Sequence, residues 1–163
     1  MKKHWIIVLL IMGLVAQSCG SKTDKDDVPQ SLSTPNKDNT SSASVKASEQ
    51  IDLSNKGVGP VESVVINAEI DMDLAAEGEK IYNQMCTACH KIGQTFIGPP
   101  PNGILDRRSP EWVMNMILAP ELMVQEDPLA RALLAEFNGS PMANQNLTEE
   151  QARAVLEYFR TLN

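Results

Sequence analysis

The chain has 163 residues, is 42% hydrophobic and 21% charged, and carries a formal net charge of -7 with a pI near 4.8. Domains commonly run to about 100 to 150 residues, so this length accommodates one domain with appendages. The acidic balance argues against an electrostatic partnership with nucleic acid or an anionic membrane surface, and leaves a basic or apolar partner, or solubility alone, as its meaning.

Residues 1–19 read as a secretory signal: Lys2, Lys3 and His4 precede an apolar run from Trp5 to Ala16, and Gln17-Ser18-Cys19 follows. That run is too short to cross a bilayer core of about 30 Å, so it is a signal core and not a stable span. Cys19, followed by Gly20 and Ser21, resembles the lipobox of bacterial lipoproteins, although position 16 is Ala where Leu is usual and position 17 is Gln. The resemblance implies that Cys19 becomes N-terminal and acylated. Acyl chains contribute about 0.8 kcal/mol per buried methylene, so two or three of them anchor a protein to a membrane. The other reading is an ordinary signal peptide that contains a cysteine, which would leave a lone thiol on an exported protein.

Residues 20–71 are expected to form a disordered tether. Up to about residue 57 they are Ser, Thr, Asn, Lys and Asp with Pro29 and Pro35, too poor in large apolar side chains to offset the entropy of ordering. Some 40 residues of such chain span roughly 35 Å on average. Residues 58–72 contain Val64-Val65-Ile66 and either pack extended against the domain or finish the linker. Residues 72–163 form the domain.

From Asp73, a plausible N-cap, the pattern turns helical, with Leu74, Gly78 and Tyr82 on one face beside Ile81 and Met85. This helix runs into Cys86-Thr87-Ala88-Cys89-His90. Two thiols at that spacing can each form a thioether with a haem vinyl group while the adjacent imidazole coordinates the iron. A zinc site would need two more nitrogen or sulfur ligands, and beyond this motif the chain offers only His4 and Cys19, both in the signal. A redox dithiol belongs in a strand-helix setting, and no strand-rich stretch flanks residues 86–90. With Cys19 given to lipid and Cys86 and Cys89 to a single haem c, no thiol is left for a disulfide.

Gly78-x-x-x-Tyr82-x-x-x-Cys86-x-x-Cys89-His90 resembles the opening of class I, monohaem cytochrome c domains. The resemblance implies an all-α fold of four or five helices around a covalent haem, with the N- and C-terminal helices crossing. It also implies that Gly78 and Tyr82 pack against an aromatic of the last helix. In the stretch Gly98-Pro99-Pro100-Pro101-Asn102-Gly103, successive prolines rule out helix and central strand. The family presents the carbonyl of the loop proline, here Pro99, to the free ring nitrogen of the haem histidine, which orients a metal-binding imidazole. Pro101 stands where the family often has an apolar residue.

Ser109-Pro110-Glu111 starts a further helix, with a capping hydroxyl, proline in the first turn and an acid at the positive end. Trp112, Met116 and Met114 are its inward-facing candidates. By the resemblance, Trp112 or the pair Arg107 and Arg108 bonds a haem propionate; a core Trp and a solvated Arg pair is the alternative. The region from Pro120 exceeds what a minimal domain of this kind needs. Asp127-Pro128 opens a helix to about Phe137, stopped by Asn138-Gly139. Thr148-Glu149-Glu150-Gln151 is a capping box ahead of the last helix, whose stripe is Ala152, Val155, Leu156, Phe159 and Leu162. Tyr158 or Phe159 should meet Gly78 and Tyr82.

His90 is the only histidine after the signal, so the second axial ligand is sought among the methionines, whose uncharged thioether favours reduced iron. Met85 is too close to the cysteines to reach the opposite haem face. Of Met72, Met114, Met116, Met123 and Met142, the last sits in the irregular stretch Asn138-Gly139-Ser140-Pro141-Met142, before the C-terminal helix and at the family's ligand position. Met114, Met116 and Met123 read as core or adaptable packing.

The expected function is a one-electron carrier of a bacterial respiratory chain, with His90 and Met142 as iron ligands and no enzymatic site. Its partners would be a quinol-oxidising donor complex and a terminal reductase or oxidase, nitrous-oxide reductase being one such acceptor by resemblance. The expected location is the cell envelope, lipid-anchored and facing the periplasm or the cell exterior. The alternative is a five-coordinate haem enzyme or gas sensor, which needs an open iron position and a polar distal group.

Overall fold

The computed structural model describes residues 45–162; the signal, Cys19 and the first part of the tether lie outside the described residues. Helix α1, Met72–Met85, is capped by Asp71, whose carboxylate accepts from the amides of Asp73 at 3.1 Å and Leu74 at 3.0 Å. The cap is therefore two residues earlier than Asp73, because Asp71 is the extended residue that can reach both free amides. Asp73 instead places its charge in the first turn, at the positive end of the helix.

A 3-10 turn, Ile104–Asp106, leads to α2, Pro110–Leu118, which starts as expected: the Ser109 hydroxyl accepts from the Trp112 amide at 3.1 Å. Helix α3, Pro120–Glu126, occupies the stretch left without an assignment, and Ala119 before it supplies no side-chain cap. Helix α4, Pro128–Glu136, is capped by Asp127, whose Oδ1 accepts from the Ala130 amide at 2.7 Å. After Phe137 the chain turns through Asn138 and Gly139, both at positive φ. Helix α5, Glu149–Phe159, carries the capping box reciprocally between Thr148 and Gln151. The fold is all-α, and among the described residues the only β pairings are the isolated bridges Asp52 to Arg108 and Lys91 to Gln94. No described helix is long and apolar enough to cross a membrane.

The fold turns on the α1–α5 crossing. A Cβ on Gly78 would collide with the Ala154 carbonyl and the Val155 amide, so the missing side chain lets two backbones touch. Tyr82 takes the aromatic contacts, with ring centroids 5.5 Å from Tyr158 and 5.8 Å from Phe159. Backbone of α5 fills the position a Gly78 side chain would take, and the expected aromatic contact is made at Tyr82, one turn on. Glu157, fully buried on α5, accepts from the Asp71 amide at 2.9 Å and pairs with Arg153 and Arg160, each at 2.5 Å. Burial alone would raise its pKa, but the Asp71 amide and the two arginines outweigh it and hold the carboxyl below its ordinary value.

Residues 45–57, expected as part of a disordered tether, and residues 58–71, for which extended packing against the domain was one of two readings, lie along the helices as a strap. Val61 is buried in the core beside Trp112, Val113 and Ile117. The rest is held largely through its backbone. Asn115 of α2 donates to the carbonyls of Lys56 at 3.0 Å and Val61 at 2.9 Å and accepts from the Val61 amide at 2.9 Å. Met123 Sδ accepts from the Val58 amide, and Arg160 donates to the carbonyls of Asn67, Ala68 and Glu69. Composition up to residue 57 suggested disorder because little apolar surface is available; polar groups of the domain satisfy the strap's backbone, and Ala47, Val58, Val64 and Ile66 pack against the core beside Val61.

Candidate functional site

The end of α1 builds the first wall of the site. Beyond Met85 the turn continues, with the amides of Cys89 and His90 both donating to the Cys86 carbonyl at 3.1 and 2.9 Å, and the Tyr82 hydroxyl donates to the His90 carbonyl at 2.9 Å. Cys86 and Cys89 are free thiols, the first half-buried and the second exposed. Burial, with the neighbouring Cys89 adding to it, pushes the Cys86 thiol up to about 11. Burial, then Cys86 and Tyr158, pushes the Tyr82 phenol up to about 12.

The proline loop fixes the imidazole. The Gly98 amide donates to the Cys89 carbonyl at 3.0 Å, tying the loop to the motif, and His90 Nδ1 lies 2.8 Å from the Pro99 carbonyl oxygen. A carbonyl can only accept, so Nδ1 carries a proton, and Nε2 is the ring nitrogen turned to coordination. Gly98 is needed here, because a Cβ would sit 2.5 Å from His90 Cε1 and 2.9 Å from Nδ1.

These groups border a cavity of about 160 Å³. Cys86, Cys89, His90, Pro99, Arg107, Arg108, Trp112 and Met142 all line it, so every candidate except Cys19, which lies outside the described residues, is brought to one place. Two of the methionines line it, Met142 from the loop before α5 and Met116 from α2. Met116, expected to face inward from α2 and weighed as a ligand before being read as packing, is thus a second thioether on the cavity wall. Met114 and Met123 are buried elsewhere, and Met72 is 64% exposed.

The polar side of the cavity differs in part from expectation. The Trp112 indole N–H donates to Asp127 Oδ1 at 3.3 Å and its side chain is buried, which agrees with the reading of Trp112 as a core residue and leaves the arginines as the open donors. Its ring lies 5.3 Å from the Arg108 guanidinium. The Arg pair is not solvated: Arg108 is 1% exposed, and Nε of both Arg107 and Arg108 is buried without a hydrogen-bond partner. Burial, with Arg107 adding to it, lowers the Arg108 pKa, while Asp52, Asp127 and Glu136 counter that effect. Two orphaned cationic donors on an otherwise apolar cavity suit the carboxylates of a haem, as the paired thiols suit its vinyl groups and the oriented imidazole its iron.

Comparisons with known proteins agree with this geometry. The family profile described as cytochrome c matches residues 75–163. Comparison with curated proteins gives no match. Among solved structures, a cytochrome c from Rhodothermus marinus is 43% identical with a TM-score of 0.62, covering 64% of this chain and 89% of that one. An engineered form of that protein is 42% identical with the same TM-score, covering 64% and 90%. The same engineered form bound to a carbene intermediate is 43% identical with a TM-score of 0.59, covering 64% and 89%. By its sequence profile, its fold and these solved relatives, the chain belongs to the cytochrome c family, which implies a covalent c-type haem and haem-based electron transfer.

Proposed function

We propose that the chain is a one-electron carrier of a bacterial respiratory chain, holding a single haem c through thioethers to Cys86 and Cys89, with His90 and Met142 as axial ligands. The observation that carries this reading is the bond from His90 Nδ1 to the Pro99 carbonyl at 2.8 Å, on the wall of the cavity that Cys86, Cys89 and Met142 share. When bound, the haem supplies reversible exchange of one electron between ferric and ferrous iron. The chain supplies the rest. Pro99 fixes the tautomer of His90 and raises its basicity as a ligand. Met142 offers an uncharged sulfur, which favours the ferrous state. The unpartnered Nε groups of Arg107 and Arg108 receive the propionates, and apolar walls including Ile104, Val113 and Leu133 exclude water from the macrocycle.

A lipid on Cys19 would hold the carrier at a membrane in the cell envelope, facing the periplasm or exterior. Electrons would pass from a quinol-oxidising complex to a terminal oxidase or reductase, nitrous-oxide reductase among the candidates. A net charge of -7 suits partners that present a basic or apolar docking face. The test is reconstitution in haem-loaded form: a stable reversible midpoint potential and no carbon monoxide binding to the reduced protein are expected. Ready carbon monoxide binding would favour the five-coordinate enzyme or sensor instead.

A further inference from the structure

We infer that strap residues Ala47–Asp52 position the buried guanidinium of Arg108 against the haem carboxylates, and so help to set the redox potential. The inference rests on the haem reading above. It concerns a segment outside residues 75–163, the part that the family profile matches.

Arg108 is held from three sides. Its Nη1 donates to the carbonyls of Gln50 and Arg107, its Nη2 donates to the carbonyl of Ala47 at 2.5 Å, and the Trp112 ring covers one face at 5.3 Å. Two of those three carbonyls belong to the strap. The strap is itself fixed at this point. Ser48 donates through its amide at 2.8 Å and its hydroxyl at 2.5 Å to the Glu136 carboxylate of α4, and the Asp52 amide donates to the Arg107 carbonyl at 2.9 Å. What remains of the guanidinium is one Nη2 proton and Nε, the latter buried without a partner in a residue that lines the cavity. Among the described residues neither Arg107 nor Arg108 forms an ion pair. Such a cation in a poorly solvated site is costly until an anion meets it, and its direction matters because charge-assisted bonds are geometric. A cation kept close to the haem stabilises the less positive, reduced iron. Loosening the strap lets Arg108 turn away, and the potential falls.

The test uses the full-length haem-loaded protein. Ser48→Pro removes both donors to Glu136 without changing charge. It is expected to lower the midpoint potential and to speed solvent exchange of the Arg108 Nε proton observed by NMR. In an Arg108→Lys background the same change should shift the potential no further. Asn115→Ala, which frees the strap only at Lys56 and Val61, should lower the urea midpoint while leaving the potential in place. Ser48→Ala, a milder variant that loses the hydroxyl bond alone, should give a smaller shift of the same sign if the proline variant does not fold. Equal shifts in both backgrounds, the same shift from Asn115→Ala, or lost stability with an unmoved potential would each overturn the role of the strap. Haem lost from the wild type on denaturing electrophoresis would overturn the haem reading and this inference with it; covalent haem with additive shifts overturns the inference alone.

Discussion

Gly98 lies so close to His90 that a Cβ would stand 2.5 Å from the ring Cε1, while the next residue, Pro99, accepts the ring's Nδ1 proton at 2.8 Å. The glycine makes room for the imidazole and the proline aims it. Gly98→Ala should therefore push the ring off its bond to Pro99. The expected result is a fall of about 1–3 kcal/mol in unfolding free energy, typical of overpacking, with a higher midpoint potential, because an imidazole without its carbonyl partner is a less basic ligand and favours ferric iron less. A substitution that leaves both unchanged would mean that the ring has more freedom than this contact allows.

The α1–α5 crossing sets a second expectation. In an open helix, Gly78→Ala would stabilise by about 1 kcal/mol through helix propensity. Here the added methyl meets the Ala154 carbonyl, which is backbone and cannot rotate away. The clash should win, with a net loss of at least about 1–3 kcal/mol in urea titration. Net stabilisation would show that the two helices can part at no cost.

Acid should loosen the same crossing. The Glu157 carboxyl is held below its ordinary value, so its folded pKa lies under its unfolded one. Its contribution is complete above about pH 4.3 and disappears as the pH falls through the folded value. Glu157→Gln should be less stable than wild type at pH 7, and the difference should narrow towards pH 3. A gap that stays constant across this range would contradict the ion-pair account.

The haem-free chain gives a chemical check. With Cys86 half-buried and its thiol raised to about 11, iodoacetamide at pH 8 should label the exposed Cys89 first. Peptide mass mapping over time reads the order; equal rates would mean that α1 frays at Cys86.

Much of the site was legible because its chemistry is local. Cys86, Cys89 and His90 are adjacent, Pro99 announces a rigid loop, and Asn138–Met142 cannot be helix. The capping box at Thr148 and the proline at position 110 marked helix starts for the same reason. What escaped depends on partners distant in sequence. Trp112 was open to either a propionate or a core role, and the sequence does not show that Asp127, fifteen residues on, receives its N–H. The strap escaped because its anchors, Asn115, Arg108 and Arg160, bind backbone carbonyls that every residue possesses. Helix α3 escaped because Ala119 before it carries no capping oxygen.

The central claim is that sulfur from Met142 completes the iron site opposite His90. The most direct measurement is the absorption spectrum of the oxidised protein beside that of Met142→Ala. A weak far-red band from sulfur-to-iron charge transfer should be present in the wild type and absent in the variant. A band that survives the substitution would assign the ligand to Met116, the other thioether on the cavity wall. A wild type without the band, whose reduced form readily binds carbon monoxide, would contradict the six-coordinate carrier outright.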